Sequence, residues 1–197
     1  PSSLPLNYTQ SGSAPNVELP LVVWYRASFQ ADLIPNKLAL VKDRGAIEGN
    51  YQIFLNGTKL PNNSFRPTFR YDQNNLTCAL GRRVVKGKNQ IAVRVEINSL
   101  SDGLIDAFYL FGKFGVRKWK TNGHRVGALP ERGTVASLDA NRLPYYAGTV
   151  SFTHEILIKK PAGKTFMFDL NKEFKDTEDV VEVLVNGHSM GSRLWSP

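Results

Sequence analysis

The chain has 197 residues, of which 42% are hydrophobic and 21% charged, so it can bury a core but is too polar for a protein embedded in lipid. No run approaches the roughly 20 apolar residues of a membrane-spanning helix, which argues against a membrane partner. Residues 1–20 are rich in Ser and Pro and lack the pattern of a signal peptide. We expect an extended N-terminal segment followed by one or two small domains.

Lysine and arginine outnumber aspartate and glutamate by 25 to 17, which gives a net charge of +8 and suggests an anionic partner. The basic residues occur in short groups, such as that at 82–88, without a nucleic-acid-binding motif beside them. We therefore favour solvated turns over a nucleic-acid site. The lone Cys78 forms no internal disulfide, and the three histidines lack a metal-ligand spacing, so no metal or other cofactor is expected.

Short apolar runs separated by 16 glycines and 11 prolines indicate strands, because no window keeps the 3.6-residue period of a helix. Strands are predicted at residues 21–29, 37–42, 51–56, 76–80, 90–98, 104–116, 150–158, 165–170 and 180–186. The alternation is clearest at 90–98 and recurs at 150–158. This spacing indicates an all-β sandwich or barrel, of which we expect the antiparallel β-sandwich.

An internal repeat suggests two tandem units. Residues 51–57 read YQIFLNG and residues 181–187 read VEVLVNG, at an offset of 130. Each copy predicts a strand, an Asn-Gly turn and a short returning strand, because both central residues of a type I′ turn need positive φ. With the similar strands upstream, at 23–29 and 150–156, we expect the two units to superpose strand for strand, although one long sandwich with two similar hairpins also fits.

The second unit is expected to be incomplete. Copy two has no counterpart of the strands at 76–80 and 90–98. Its apolar inner face would need cover from the first unit or from a partner chain. The predicted organisation is an extended segment at 1–20, a first unit at 21–116, a linker at 117–144 and a truncated second unit at 145–197.

Seven segments carry a resemblance to a known family. They are VWYRASF at 23–29, YQIFLNG at 51–57, LTCAL with KGKNQIAVRV at 76–95, DAFYLFGKFGV at 106–116, PYYAGTVSF at 144–152, VEVLVNG at 181–187 and GSRLWSP at 191–197. In this order they resemble the galactose-binding-like jelly-roll domains of glycoside hydrolases, especially the family 2, rhamnosidase-like and plant-type β-galactosidase enzymes. The resemblance implies a jelly-roll accessory module that binds sugar or braces a catalytic domain, in an extracellular or periplasmic location.

We expect the chain itself to be non-catalytic. Glycoside hydrolysis needs two carboxylates held about 5 to 9 Å apart around one bond. Glu155 and Glu182 occupy outward strand positions, whereas Glu173 and Glu178 lie in a polar loop, so solvated charges are the favoured interpretation. The residues that the resemblance covers include no catalytic-domain segment, and the family's catalytic carboxylates map onto no position.

Aromatic residues are the candidates for carbohydrate binding, because a pyranose has an apolar face and a rim of hydroxyls. The candidates are Trp24, Trp119, Tyr145, Tyr146 and Trp195. Trp24 lies off the inward face of its strand, and the others lie near turns or unit junctions. For each, packing between units is favoured over ligand stacking, because large aromatics usually seal interfaces.

The sequence thus predicts a non-catalytic accessory β-sandwich of a glycoside-hydrolase-like protein, whose partner is a carbohydrate or an adjoining catalytic domain. One alternative is an enzyme fragment that lends loop residues to a glycosidase active site. The other is a basic module for adhesion or polyanion binding.

Overall fold

A computed structural model describes residues 18–119, 123–135, 137–146, 148–159, 163, 165, 167 and 180–193. The chain divides into two units, of which the first ends at Leu129 and the second begins at Pro130. The described residues contain no α-helix, only strands, turns and two short 3-10 helices at Asn62–Ser64 and Gly81–Arg83. The predicted all-β class is confirmed.

The described strands are numbered in chain order. They are β1 Leu21–Ala31, β2 Ala39–Asp43, β3 Ile47–Glu48, β4 Asn50–Leu55, β5 Thr58–Leu60, β6 Arg66–Pro67, β7 Asn75–Ala79, β8 Gly87–Ile97, β9 Gly103–Leu104, β10 Tyr109–Phe111, β11 Gly115–Trp119, β12 Gly123–Gly127, β13 Val181–Val185 and β14 His188–Arg193. The strands predicted at 21–29, 51–56, 76–80, 90–98 and 180–186 are therefore confirmed, with ends that differ by a few residues.

The first unit is a sandwich of two sheets. Its six-stranded sheet has the order β11-β12-β1-β8-β4-β5, and its four-stranded sheet has the order β10-β2-β7-β6. The described pairs are antiparallel except that of β1 with β12. Ile53 and Val95 of the larger sheet share one buried cluster with Leu40 and Cys78 of the smaller. The expected antiparallel sandwich is present in this unit.

The ladder between β1 and β8 runs through the middle of the six-stranded sheet. It begins with Leu21 opposite Ile97 and continues over all 11 residues of β1. The alternation predicted at 90–98 is confirmed, because Val93, Val95 and Ile97 are buried in the core. Side chains at the intervening positions of β8 lie on the outer face of the sheet.

Both predicted Asn-Gly hairpins form. Asn56 and Gly57, between β4 and β5, have φ of 50° and 79°, and Asn186 and Gly187, between β13 and β14, have φ of 49° and 81°. These paired positive values are those of a type I′ turn. The prediction that the two pairs occupy equivalent hairpin tips is therefore confirmed.

The strand predicted at 150–158 is wrong, because the described residues 148–159 form none. Alternation assigns side chains to faces, but a strand also needs a neighbour that accepts and donates its backbone hydrogen bonds. No described segment pairs with this one. The two units consequently do not superpose strand for strand upstream of their hairpins.

The single strand predicted at 104–116 is also wrong, because three strands share this run. β9 pairs with β3, β10 joins the four-stranded sheet, and β11 joins the six-stranded sheet. The chain must bend between them to change sheets. The strand β12 lies in the segment interpreted as a linker, and the strand predicted at 165–170 lies largely outside the described residues.

Lys42 is a charged residue on the inner face of the four-stranded sheet. It is 3% exposed, and its Nζ lies 5.5 Å from the ring centroid of Tyr51 and 6.0 Å from that of Phe65. The Nζ donates a hydrogen bond to the Asp43 carbonyl over 3.2 Å. Burial lowers the pKa of Lys42, although the Asp43 charge opposes this effect. Cation–π contacts offset part of the cost of burying the ammonium.

We expect Lys42→Met to raise the free energy of unfolding at pH 7 by about 1 kcal/mol, because Met keeps the apolar stem and removes a buried charge. The folded pKa lies below the unfolded one, so the unfolded chain binds more protons between the two values. Stability of the parent chain therefore rises with pH across that interval, and the advantage of the variant shrinks.

Urea unfolding at a series of pH values measures both effects. The exposed Lys88→Met is the matched control and should change the free energy of unfolding by no more than about 0.5 kcal/mol. A Lys42→Met protein that is less stable than the parent chain at neutral pH would contradict the expectation.

Candidate functional site

The outer face of the six-stranded sheet carries aromatic, amide and charged side chains close together. The pairing of β1, β8, β4 and β5 aligns them in three rows across the strands. We call this surface the Trp24 face; it consists of Val22, Glu96 and Asn50 in the first row, Trp24, Arg94 and Gln52 in the second, and Arg26, Ala92, Phe54 and Lys59 in the third.

Trp24 and Phe54 form the apolar centre of the Trp24 face. Their ring centroids are 5.6 Å apart with an angle of 38° between the planes. The two residues come from β1 and β4, which lie on either side of β8. Ala92, opposite Phe54 on β8 and one row from Trp24, has only a methyl group, which leaves room for the two large rings to meet. Trp24 remains 44% exposed, which leaves indole surface available to a ligand.

Arg26 lies beside this centre. Its guanidinium carbon is 5.6 Å from the ring centroid of Trp24, the distance of a cation–π contact. The two residues are separated by two positions on β1, so they share a face of the strand. The contact restrains a long side chain that would otherwise sample many rotamers.

Arg94, Glu96 and Asn50 form a hydrogen-bonded group next to Trp24. Arg94 donates to Glu96 Oε1 over 2.7 Å, and the Asn50 amide donates to Glu96 Oε2 over 2.9 Å. The hydrogen bond from Arg94 is the main cause that lowers the pKa of Glu96, and that from Asn50 adds to it. Glu96 therefore stays ionised at neutral and mildly acidic pH, as a fixed hydrogen-bond acceptor.

We expect Arg94→Gln to raise the pKa of Glu96 toward its ordinary value, and Asn50→Ala to raise it by less. The reason is that each substitution removes one of the two donors that stabilise the carboxylate. Carboxyl carbon chemical shifts followed by NMR across a pH titration measure the change. The pKa of Glu96 is lower in the folded chain than in the unfolded chain, so its ionised form stabilises the fold at pH values above the unfolded pKa. That stabilisation is lost as the pH falls through the folded pKa.

Ser28→Ala, on the same strand face outside these rows, serves as the control and should leave the titration of Glu96 unchanged. A pKa of Glu96 that does not move in Arg94→Gln would mean that the pair is not formed in solution.

The other aromatic candidates lie elsewhere. Tyr145 and Tyr146 belong to the second unit and are exposed, Tyr145 by 65%. The Tyr146 hydroxyl donates to the carbonyl of Thr149 over 3.1 Å. Trp119 ends β11, and its side chain is not described; Trp195 lies outside the described residues. Among the predicted candidates, Trp24 is thus the one that the structure places beside other aromatic and charged side chains.

The carboxylates considered for hydrolysis do not converge in the described structure. Glu155 is exposed in a segment without a strand, and Glu182 accepts a hydrogen bond from Ser189. Glu173 and Glu178 lie outside the described residues. Within the described part of the chain, no three His, Cys, Asp or Glu side chains are grouped as metal ligands.

A second aromatic group lies on the outer face of the four-stranded sheet. Tyr71 and Tyr109 meet edge to face at 5.3 Å, and the Arg70 guanidinium lies 4.3 Å from the Phe111 ring centroid. Tyr109 is opposite Val41 on the neighbouring strand, and Val41 is fully buried. These rings contact one another over the sheet, and Tyr71 and Tyr109 remain 51% and 44% exposed.

Buried Asn75 holds the loop that carries Tyr71. Its Oδ1 accepts hydrogen bonds from the backbone N–H groups of Arg70, Tyr71 and Asp72, and its Nδ2 donates to Asp43 over 2.7 Å. The Tyr71 hydroxyl also donates to Asp43 over 3.1 Å. Partial burial, with the hydrogen bond to Asp43 and its charge, raises the pKa of Tyr71 to about 12. Hydrogen bonds to Asn75 and Asp43 therefore fix this loop.

Sequence reasoning missed the partners of Trp24. Phe54, Arg94 and Glu96 come from strands 30 or more positions away and meet Trp24 only through the register of the sheet. The one available signal was that each occupies an outward position of a predicted strand, which alone suggests an ordinary solvated residue.

No protein-family model matches the chain, and a search of curated proteins also finds no match. Among the described residues, none belongs to a helix long and apolar enough to cross a membrane. The function must therefore be argued from the chemistry of the Trp24 face.

Proposed function

We propose that the chain is a non-catalytic accessory β-sandwich of a glycoside-hydrolase-like protein and that it binds carbohydrate on the Trp24 face. The observation that carries the proposal is an exposed tryptophan, supported by Phe54, beside a guanidinium, a carboxylate and two amides. The resemblance of the sequence to galactose-binding-like jelly-roll modules supports the same function.

The chemistry of a sugar ring fits these groups. The apolar C–H face of a pyranose stacks on the exposed indole of Trp24, as aromatic side chains in sugar sites do. Its hydroxyl groups then reach Gln52 and Arg94, which lie in the same row as Trp24. The pair of Arg94 with Glu96 provides a donor and an acceptor with fixed orientations, which reduces the entropy lost on binding.

We expect Trp24→Ala to lower the affinity for the tightest-binding glycan by at least tenfold, about 1.4 kcal/mol, because it removes the stacking surface. A glycan array identifies the ligand, and titration calorimetry measures the affinities. Trp24→Phe should retain part of the binding, because a smaller aromatic face remains.

Tyr71→Ala is the matched control, because it removes an aromatic of the four-stranded sheet that has similar exposure. Thermal melts establish that each variant is folded. Equal losses in Trp24→Ala and Tyr71→Ala, or undiminished binding in Trp24→Ala, would contradict the proposal.

A second candidate function belongs to the second unit, which we propose contacts another protein surface, such as an adjoining catalytic domain or a partner chain. The supporting observation is the exposure of apolar side chains on the hairpin of β13 and β14, with Leu184 at 59% and Met190 at 60%. Exposed apolar groups on one hairpin are typical of interaction sites.

We expect Leu184→Lys to lower the fluorescence of a bound hydrophobic dye, because it removes apolar surface from that hairpin. Ser192→Lys on the neighbouring strand adds the same charge without removing apolar surface and should leave the signal nearly unchanged. Equal fluorescence in the parent chain and in Leu184→Lys would contradict an accessible apolar surface there.

A further inference from the structure

The Trp24 face carries cations without matching carboxylates. Arg94 is paired with Glu96, but neither Arg26 nor Lys59 has a carboxylate within 4 Å in the described part of the chain. Both are exposed. Like charges on one surface repel each other, so an unpaired set is a cost that an anionic ligand would remove.

The two unpaired cations stand at opposite ends of one row. Arg26, Ala92, Phe54 and Lys59 are successive partners across four strands. At the usual spacing of about 4.8 Å between strands, the backbones of Arg26 and Lys59 are roughly 14 Å apart. The apolar floor of Ala92 and Phe54 lies between them, and Trp24 borders it. A chain of several sugars fits such a strip better than one sugar does.

We infer that the carbohydrate bound on the Trp24 face is acidic, an oligosaccharide whose sugars carry carboxylates. This inference rests on the proposed function of the face. Its physical basis is that Arg26, held against Trp24 at 5.6 Å, presents a planar fork of N–H donors beside the stacking surface. A guanidinium in that position can bind a carboxylate through two parallel hydrogen bonds. Lys59 supplies a second positive charge at the far end.

An acidic saccharide fits the face better than a nucleic acid does. Stacking of several bases would require a series of exposed aromatic rings, whereas this face exposes one indole and a partly buried phenyl ring. The Glu96 carboxylate is suited to accept hydrogen bonds from sugar hydroxyls, which a sugar chain carries in greater number than DNA does. Asn50 and Gln52 add amides suited to hydroxyl groups.

The test compares an oligogalacturonate with its fully methyl-esterified form of the same length, because esterification removes the charge and keeps the sugar. In titration calorimetry at low salt, we expect the acid to bind at least tenfold more tightly than the ester. That advantage should shrink as salt is raised, because screening weakens the ionic contacts. A thymidine oligonucleotide of equal charge should bind more weakly than the acid.

Variants separate local recognition from general charge. Arg26→Gln should reduce the affinity for the acid to nearly that for the ester. Lys59→Gln should cause a smaller loss of the same kind. Lys88→Gln removes one charge from the same side of the sheet, two rows beyond Ala92, and should have little effect.

Each outcome decides a separate point. Equal affinity for acid and ester would overturn the acidic ligand while the proposed sugar binding stands. No binding of any glycan would overturn the proposed function itself. Equal losses in Arg26→Gln and Lys88→Gln, or tighter binding of the oligonucleotide, would replace the inferred site with nonspecific attraction of polyanions. Thermal melts of all variants confirm that they are folded.

Discussion

The pairing of β1 with β8 is the constraint on which the first unit depends. Eleven residue pairs join the two strands. The side chains of successive pairs point alternately into the core and to the outer face of the sheet. A slip of β1 by one residue would bring Trp24 to the inner face and expel Val23. The core and the Trp24 face are therefore products of the same register.

Side-chain hydrogen bonds fix the turns at both ends of β8. At its start, Asn89 donates to the carbonyls of Val85 and Gly87 and accepts from the amide of Asn56, which ties the turn to the tip of the β4–β5 hairpin. Beyond its end, Asp102 accepts hydrogen bonds from the backbone of Asn98, and this contact is the main cause that lowers its pKa. Burial of apolar side chains thus selects the inner face of β8, and these hydrogen bonds fix the turns at its ends.

The Trp24 face places an exposed aromatic ring and positive charges together on the surface of the first unit. Two cations elsewhere in the unit, Arg117 and Arg125, share the carboxylate of Asp32, whereas Arg26 and Lys59 have no carboxylate within 4 Å in the described part of the chain. An exposed indole with unpaired cations at its border contributes little to folding, because surface charges and exposed rings stabilise weakly. These groups are the basis of the proposed carbohydrate site.

The sequence by itself determined the all-β class, both Asn-Gly hairpins and the inward positions of the long strands, because alternation and positive-φ turns are local properties. It also marked Trp24 as an outward aromatic. Tertiary structure alone decided that residues 104–116 serve three sheets, that residues 148–159 pair with no other described segment, and that Phe54, Arg94 and Glu96 lie near Trp24. These outcomes depend on pairing between strands distant in the chain, and a period of two assigns a side chain to a face without naming its neighbours.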